Sequence, residues 1–288
     1  MLLLQAVIIG VMLGAFYGLV AIGMALVFGV MKYMNMAHGS LMILGGYISY
    51  WLFKLYGIDP FLSIPIVVLI MAGVGLVLYR VLLRSLDNFT EDQKMNSSML
   101  LTFGLVLVMD NTMLLLWSSD VKAIATPYAG SALQVASLRI PITGLGMFGV
   151  TLVVIFALHQ FLRRTFVGKA IRATAERFEA TSLLGVNVSK TYLISCAIGV
   201  GLAGVAGSGI ATMYSISPSN GLSWLLTAMV VLVMAGMGNI RDVFLSGIIL
   251  GLLEQVGTYF FGGQYRVVFS LVLFVLIMSF RPRGLFAR

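Results

Sequence analysis

Apolar residues run along this chain in blocks of roughly twenty, and the polar residues fall almost entirely between the blocks. Nine blocks can be delimited by charge, proline or polar clusters: about 2–30, 37–55, 60–83, 97–117, 141–162, 191–213, 222–237, 243–262 and 266–280. A hydrocarbon core about 30 Å thick needs about 20 apolar residues per helix, and each block but the short ones supplies that. Within the blocks the apolar character is continuous and does not alternate, which favours helices over a barrel, and only these two architectures satisfy every backbone amide in lipid. The pattern therefore predicts an all-α integral membrane protein of eight or nine transmembrane helices, the seventh block being short enough to be re-entrant.

The interruptions carry as much information as the blocks. If the fifth block is a connector, blocks one to four and six to nine form two four-helix modules that the odd connector forces into opposite orientations, an inverted repeat. Each module breaks after its first helix, at Met31–Ala37 and at Tyr214–Gly221, the second break containing Pro218. Interrupted segments at matching positions point to a transport pathway. Residues 1–288 are expected to form one transmembrane domain, with 163–190 as a loop within it. Gly10, Gly14 and Gly18, and Gly247 and Gly251, recur at intervals of four, a spacing that lets helix backbones approach closely.

Composition agrees. Of 288 residues 60% are hydrophobic and 10% charged, with a mean hydropathy of +1.05, which leaves no surface for a water-soluble globule. The formal charge of +8 would suggest nucleic acid in a soluble protein, but here 14 of the 18 basic residues fall in the loops on one side of the nine blocks, so no nucleic-acid partner is expected. That asymmetry predicts a periplasmic amino terminus and a cytoplasmic carboxyl terminus. Cys196 has no second cysteine to pair with, no metal site is apparent, and MLLLQ lacks the basic region of a cleavable signal, so residue 1 is expected to begin the mature protein.

The loop RRTFVGKAIRATAERFEATSLLGVNVSK, 163–190, is charged yet helical in pattern: Arg172 and Glu176 stand at i and i+4, Ile171, Ala175 and Phe178 share a face, and Gly185 can supply a left-handed helix end. By itself this describes an amphipathic helix lying at the headgroups as well as it describes a docking element. ERFEATSLLGVNV, however, resembles the coupling loop of ABC importer permeases, with Glu179, Ala180 and Thr181 at its Glu-Ala-Ala positions and Gly185 at its glycine. NMAHGSLMILGGY, AGMGNIRDVFLSGIILGLLE and FRPRGLF, in that order along the chain, are similar to segments of the branched-chain amino-acid permease family of high-affinity ABC importers.

The resemblance, from about residue 10 to the end, implies a permease subunit of a bacterial inner membrane, paired with a second homologous permease. Two cytoplasmic ATP-binding subunits and a periplasmic solute-binding protein complete the assembly, and no cofactor belongs to this chain. It implies that Glu179, Ala180 and Gly185, with Arg172 and Glu176 beside them, dock on the ATPase. The solute would be a branched-chain or other hydrophobic amino acid, with urea or a short amide as the alternative. The chain is not expected to be an enzyme: it has no phosphate loop, since Gly168-Lys169 is followed by Ala170 and Arg163 stands where the first glycine is needed, and it has no Gly-x-Ser-x-Gly. An ion-coupled secondary transporter is the reading of a different class, with Asp110, Glu254 and His38 as coupling groups.

Candidates for the translocation pathway are the polar groups at membrane depth. Asn35 and His38 lie in the first break, where they can bond backbone groups that a broken helix leaves unpaired. Asp110 and Asn111, in LLTFGLVLVMDNTMLLLW, and Glu254, in GIILGLLEQVGTYFFG, are ionisable or polar where burial is costly, so each calls for a partner or a water-filled cavity. Glu254 matches a carboxylate of the family; Asp110 stands where the family more often has Gln, and Asp242 where it has a small residue. Interhelical hydrogen bonding explains both acids equally well.

Overall fold

The computed structural model describes residues 2–286 except 136–137, 177–180, 182–184, 237–239 and 282–283. Among the described residues ten α-helices follow in order: α1 (Leu2–Met31), α2 (His38–Tyr56), α3 (Pro60–Val81), α4 (Glu91–Trp117), α5 (Ile142–Arg164), α6 (Phe166–Glu176), α7 (Val188–Met213), α8 (Gly221–Ala235), α9 (Ile240–Phe261) and α10 (Arg266–Phe280). A short hairpin of β1 (Ala132–Val135) and β2 (Leu138–Pro141) precedes α5, pairing Ala132 with Pro141. Every predicted apolar block is a helix, and α6 is the extra one, within the charged loop. Among the described residues seven helices, with α8 counted from Pro218, are long and apolar enough to cross a membrane; α2, diluted by glycine, serine and histidine, and α10, only 15 residues long, fall short of that measure.

Local chemistry sets the ends. Asp59 accepts from the Phe61 N–H at 2.9 Å and Pro60 opens α3, while Gly57, left-handed at φ 65°, closes α2 and donates to the Phe53 carbonyl. The fourth helix starts six residues before its apolar block because Thr90 and Gln93 stabilise a polar first turn, the Thr90 N–H donating to Gln93 Oε1 at 3.1 Å. Asn187 caps α7 by accepting from the Lys190 N–H at 3.0 Å.

The bundle is built by exchange between the modules. Helix α1 packs mainly on α9, and α7, its counterpart, packs on α3, so the first helix of each module lies against the third helix of the other. This reciprocity is what two modules related by a pseudo-two-fold axis produce. Both contacts are close to backbone-on-backbone: a Cβ on Gly14 would stand 2.6 Å from Ile248 Cα, one on Gly251 would overlap the Gly14 backbone, and one on Gly75 would stand 2.9 Å from Ala197 Cα. The spaced glycines thus act in packing, where lipid offers no hydrophobic drive between helices. Helices α1 and α7 are the buried axis of the molecule, whereas α4 and α10 lie at its margin with many apolar side chains exposed, Leu115 and Phe280 among them.

Candidate functional site

The two breaks are deeper than the sequence suggests. Tyr33, just past the end of α1, donates to Asp87 Oδ1 at 2.8 Å, beside Ser189 at the start of α7. Five residues later His38 Nε2 lies 3.0 Å from the Val20 carbonyl, eleven residues back from Met31, or about 16 Å along α1 at 1.5 Å per residue. Residues 32–37 therefore run back into the bundle, and α2 begins well inside it. The second break does the same from the opposite face: Ile216 pairs with Lys122 of the loop after α4, and Gly221, at the start of α8, reaches Gly39 and Ser40. A Cβ on Gly39 would overlap the Gly221 carbonyl, so only glycine permits the amino ends of α2 and α8 to meet this closely.

Hydroxyl groups from α4 sustain the first break. The Met34 N–H donates to Ser98 Oγ and the Met36 N–H to Thr102 Oγ1, each at 2.9 Å, and the Ala37 N–H donates to Asn35 Oδ1 at 3.0 Å. Asn35 thus bonds a backbone group of the broken segment. His38 also bonds a backbone group, but one inside a helix and not in the break: the re-entrant chain carries its ring to the Val20 carbonyl in the middle of α1. Both side chains are buried. Ser98 and Thr102 were not singled out in the sequence, since lone hydroxyls in an apolar helix ordinarily bond their own backbone, as Thr102 also does to Ser98.

Asp110 is held by the same corner, accepting from Ser40 Oγ at 2.7 Å across the α2–α4 interface. Asn111 is exposed and donates to the Leu107 carbonyl of its own helix at 2.7 Å, so it takes no part in this cluster. Glu254 belongs to a separate group on α1, α9 and α10. It is 3% exposed, pairs with Arg266 at 3.0 Å, and accepts from Tyr17 OH at 2.6 Å and from Ser270 Oγ. Arg266 also donates to Tyr17 OH and lies 5.8 Å and 5.9 Å from the Tyr17 and Tyr214 ring centres. The two groups approach on α1, where Tyr17 and Val20 are one turn apart. Burial makes such a carboxylate costly unless each oxygen has a partner, and here each has.

At the face where the basic loops gather, Asp87 accepts from Tyr33, from Tyr79 at 2.6 Å and from Ser189 at 3.3 Å, joining the first break to the residues that follow the charged loop. Burial first, and then the hydrogen bond to Asp87, hold the Tyr33 phenol well above its usual range. On the opposite face Tyr128 donates to Asp59 Oδ2 at 2.6 Å; burial and that carboxylate push its phenol up to about 12.

In the charged loop, Arg172 and Glu176 lie on α6, are exposed, and line a cavity together with residues of α1, α5, α8 and α9. Glu179 and Ala180 lie outside the described residues. Thr181 is buried. Gly185 has the left-handed backbone expected of it, φ 77°, and a Cβ there would meet open space. Among the described residues, then, the glycine answers to its backbone angle and to no neighbour.

The family described as the branched-chain amino acid transport system, permease component, matches residues 6–278. The chain is 29% identical to the high-affinity branched-chain amino acid transport system permease protein BraD of Pseudomonas aeruginosa, over 99% of this chain and 96% of the relative. It is 28% identical to LivH of Escherichia coli K12, with the same coverage, and 27% identical to a probable branched-chain amino acid transport permease protein LivH of Methanocaldococcus jannaschii, over 93% of this chain and 87% of the relative. No solved structure matches. With the family match spanning nearly the whole chain and the helices arranged as two interlocked modules, the protein belongs to the branched-chain amino acid transport permease family.

Proposed function

We propose that this chain is a permease subunit of an ABC importer and that the junction of its two broken helices forms part of the pathway for a small solute, a branched-chain or other hydrophobic amino acid. The observation that carries the reading is the meeting of α2 and α8 amino ends inside the bundle, Gly39 against Gly221, reached from opposite faces by two re-entrant segments. Helix amino ends carry partial positive charge, and broken helices that turn them toward the middle of a membrane suit the carboxylate of an amino acid. Asn35 and His38 order this junction, and Asp110 steadies it through Ser40. Glu254 is assigned to the closed network with Arg266, with its oxygens occupied by partners.

The face bearing most of the lysines and arginines is read as cytoplasmic, with the amino terminus outside and the carboxyl terminus inside. There the segment 163–190 is the handle for two ATP-binding partners: Glu179, Ala180 and Gly185 contact the ATPase, flanked by Arg172 and Glu176, and the open space beside Gly185 suits a close partner surface. The Asp87 network carries movement of this handle to the first break through Ser189 and Tyr33. A second permease subunit covers the apolar margin of the bundle, and a periplasmic binding protein delivers the solute.

Reconstitution of the permease pair with its ATPases and binding protein tests the reading. ATP-dependent accumulation of leucine, isoleucine or valine is expected; uptake driven by a proton or sodium gradient without ATPase, or by urea and never by amino acids, would replace it.

A further inference from the structure

Between the basic-face ends of α1, α5, α6, α8 and α9 lies a cavity of about 550 Å³. Its wall is part apolar, with side chains such as Leu26, Leu232 and Val243, and part polar; among the described residues it carries Lys32, Arg163, Arg172 and Arg241, the last beside His159 at 3.5 Å, against one carboxylate, Glu176. Among the described residues none of these four cations forms an ion pair; the only one present is Arg266–Glu254, far along the chain and at the other face. Lys32 holds a left-handed backbone, φ 58°, at the position after α1 where glycine or asparagine is the ordinary choice, so a cation is kept at the rim against local preference.

We propose that this cavity is a binding site for the phosphate headgroup of an anionic phospholipid from the adjoining leaflet. Four cations to one carboxylate among the described lining residues favour a ligand of net negative charge, and a zwitterionic amino acid, which brings an ammonium with its carboxylate, fits that balance poorly. Arginine suits phosphate oxygens through paired N–H donors. Basic pockets between helices at headgroup level recognise such lipids. The surroundings fit a lipid better than a soluble phosphate: the helix α5, whose His159, Leu162 and Arg163 line the cavity, exposes Val153 and Phe156, 68% and 64%, on the turns before them as apolar surface for acyl chains, and Phe166 at the start of α6 is 80% exposed. Because α6 forms one wall, an occupied cavity tethers the charged loop to the membrane.

The test uses the full-length chain in phosphatidylcholine vesicles containing spin-labelled phosphatidylglycerol or spin-labelled phosphatidylcholine, read as the fraction of immobilised label. Two variants are compared: Lys32→Gln with Arg163→Gln and Arg241→Gln, which discharges the rim, and Gly29→Phe. A Cβ on Gly29 meets nothing within 4 Å, so the phenyl group can enter the cavity while every rim charge stays. Preferential retention of phosphatidylglycerol is expected, falling about fivefold for each cation removed and lost in Gly29→Phe. If the discharged variant fails to fold, by helical content and elution volume, Gly29→Phe alone decides. Equal retention of the two lipids by the unsubstituted chain, or a preference that survives in Gly29→Phe, overturns the proposal.

Discussion

Glu254 shows how a charged residue survives inside an apolar bundle. Its two oxygens are taken by Tyr17, Arg266 and Ser270, so removing one partner leaves the others buried and unmatched. Glu254→Ala should lower stability by about 3–5 kcal/mol, seen as a lower thermal midpoint of the detergent-solubilised protein. Arg266, whose side chain is 33% exposed, should cost less when replaced, and Glu254→Gln with Arg266→Gln should recover part of the loss. Asp110 differs, since Ser40 can donate to an amide oxygen as well as to a carboxylate. Asp110→Asn should change stability by less than about 1 kcal/mol and leave the pH profile of uptake unaltered, whereas a charge-bearing role would abolish uptake at every pH. Of these partners the sequence disclosed little. That Glu254 and Asp110 needed company was legible from their apolar neighbours, but Tyr17 is 237 residues from Glu254, and nothing local in a tyrosine identifies its mate. Arg266 was nearer to legibility, as the first cation beyond the turn that follows the Glu254 helix.

At the scale of elements, polar residues between two apolar runs announced the breaks, and their positions agreed with the structure to within a residue or two. Their depth was hidden, because an extended segment that re-enters a bundle has the same composition as one that lies at its surface. The hydroxyls that make re-entry tolerable, Ser98 and Thr102, come from a different helix. Gly39→Leu should separate α2 from α8 and abolish uptake while leaving membrane insertion intact, checked by transport and by protease protection. Gly185→Leu belongs to the charged loop: its left-handed backbone disfavours a side chain, and the open space beside it is where the ATPase is proposed to sit. Insertion should persist, while co-purification of the ATPase and ATP-driven uptake are lost. The connection after α4 has a pH limit of its own. Tyr128 is raised from 10.0 to about 12 by burial and by Asp59, so its neutral phenol contributes fully below pH 10, and that contribution is lost as pH rises through 12. Hydrogen exchange in the loop after α4 should accelerate over that window, and Tyr128→Phe should remove the pH dependence.

For the molecule as a whole, composition made the membrane environment and the helical class plain, and the spaced glycines marked faces of close approach. Which faces meet was not legible. The exchange of partners, α1 with α9 and α7 with α3, is a property of the completed fold, and equivalent glycine spacings do not say which helix fills them. Exposed apolar residues along α4 and α10 include more than lipid contacts on the proposed reading, so cross-linking in native membranes should capture a second permease subunit against one of these margins.

That exchange also constrains how the protein is made. While a ribosome is still synthesising the second half, α1 has already entered the bilayer with its glycine stripe facing nothing, since the groove built for it lies on a helix some 240 residues downstream. The nascent first half must wait in lipid, or with a chaperone, and a chain that stops after α4 is an unfinished clasp open to membrane proteases, with no half-sized permease to fall back on.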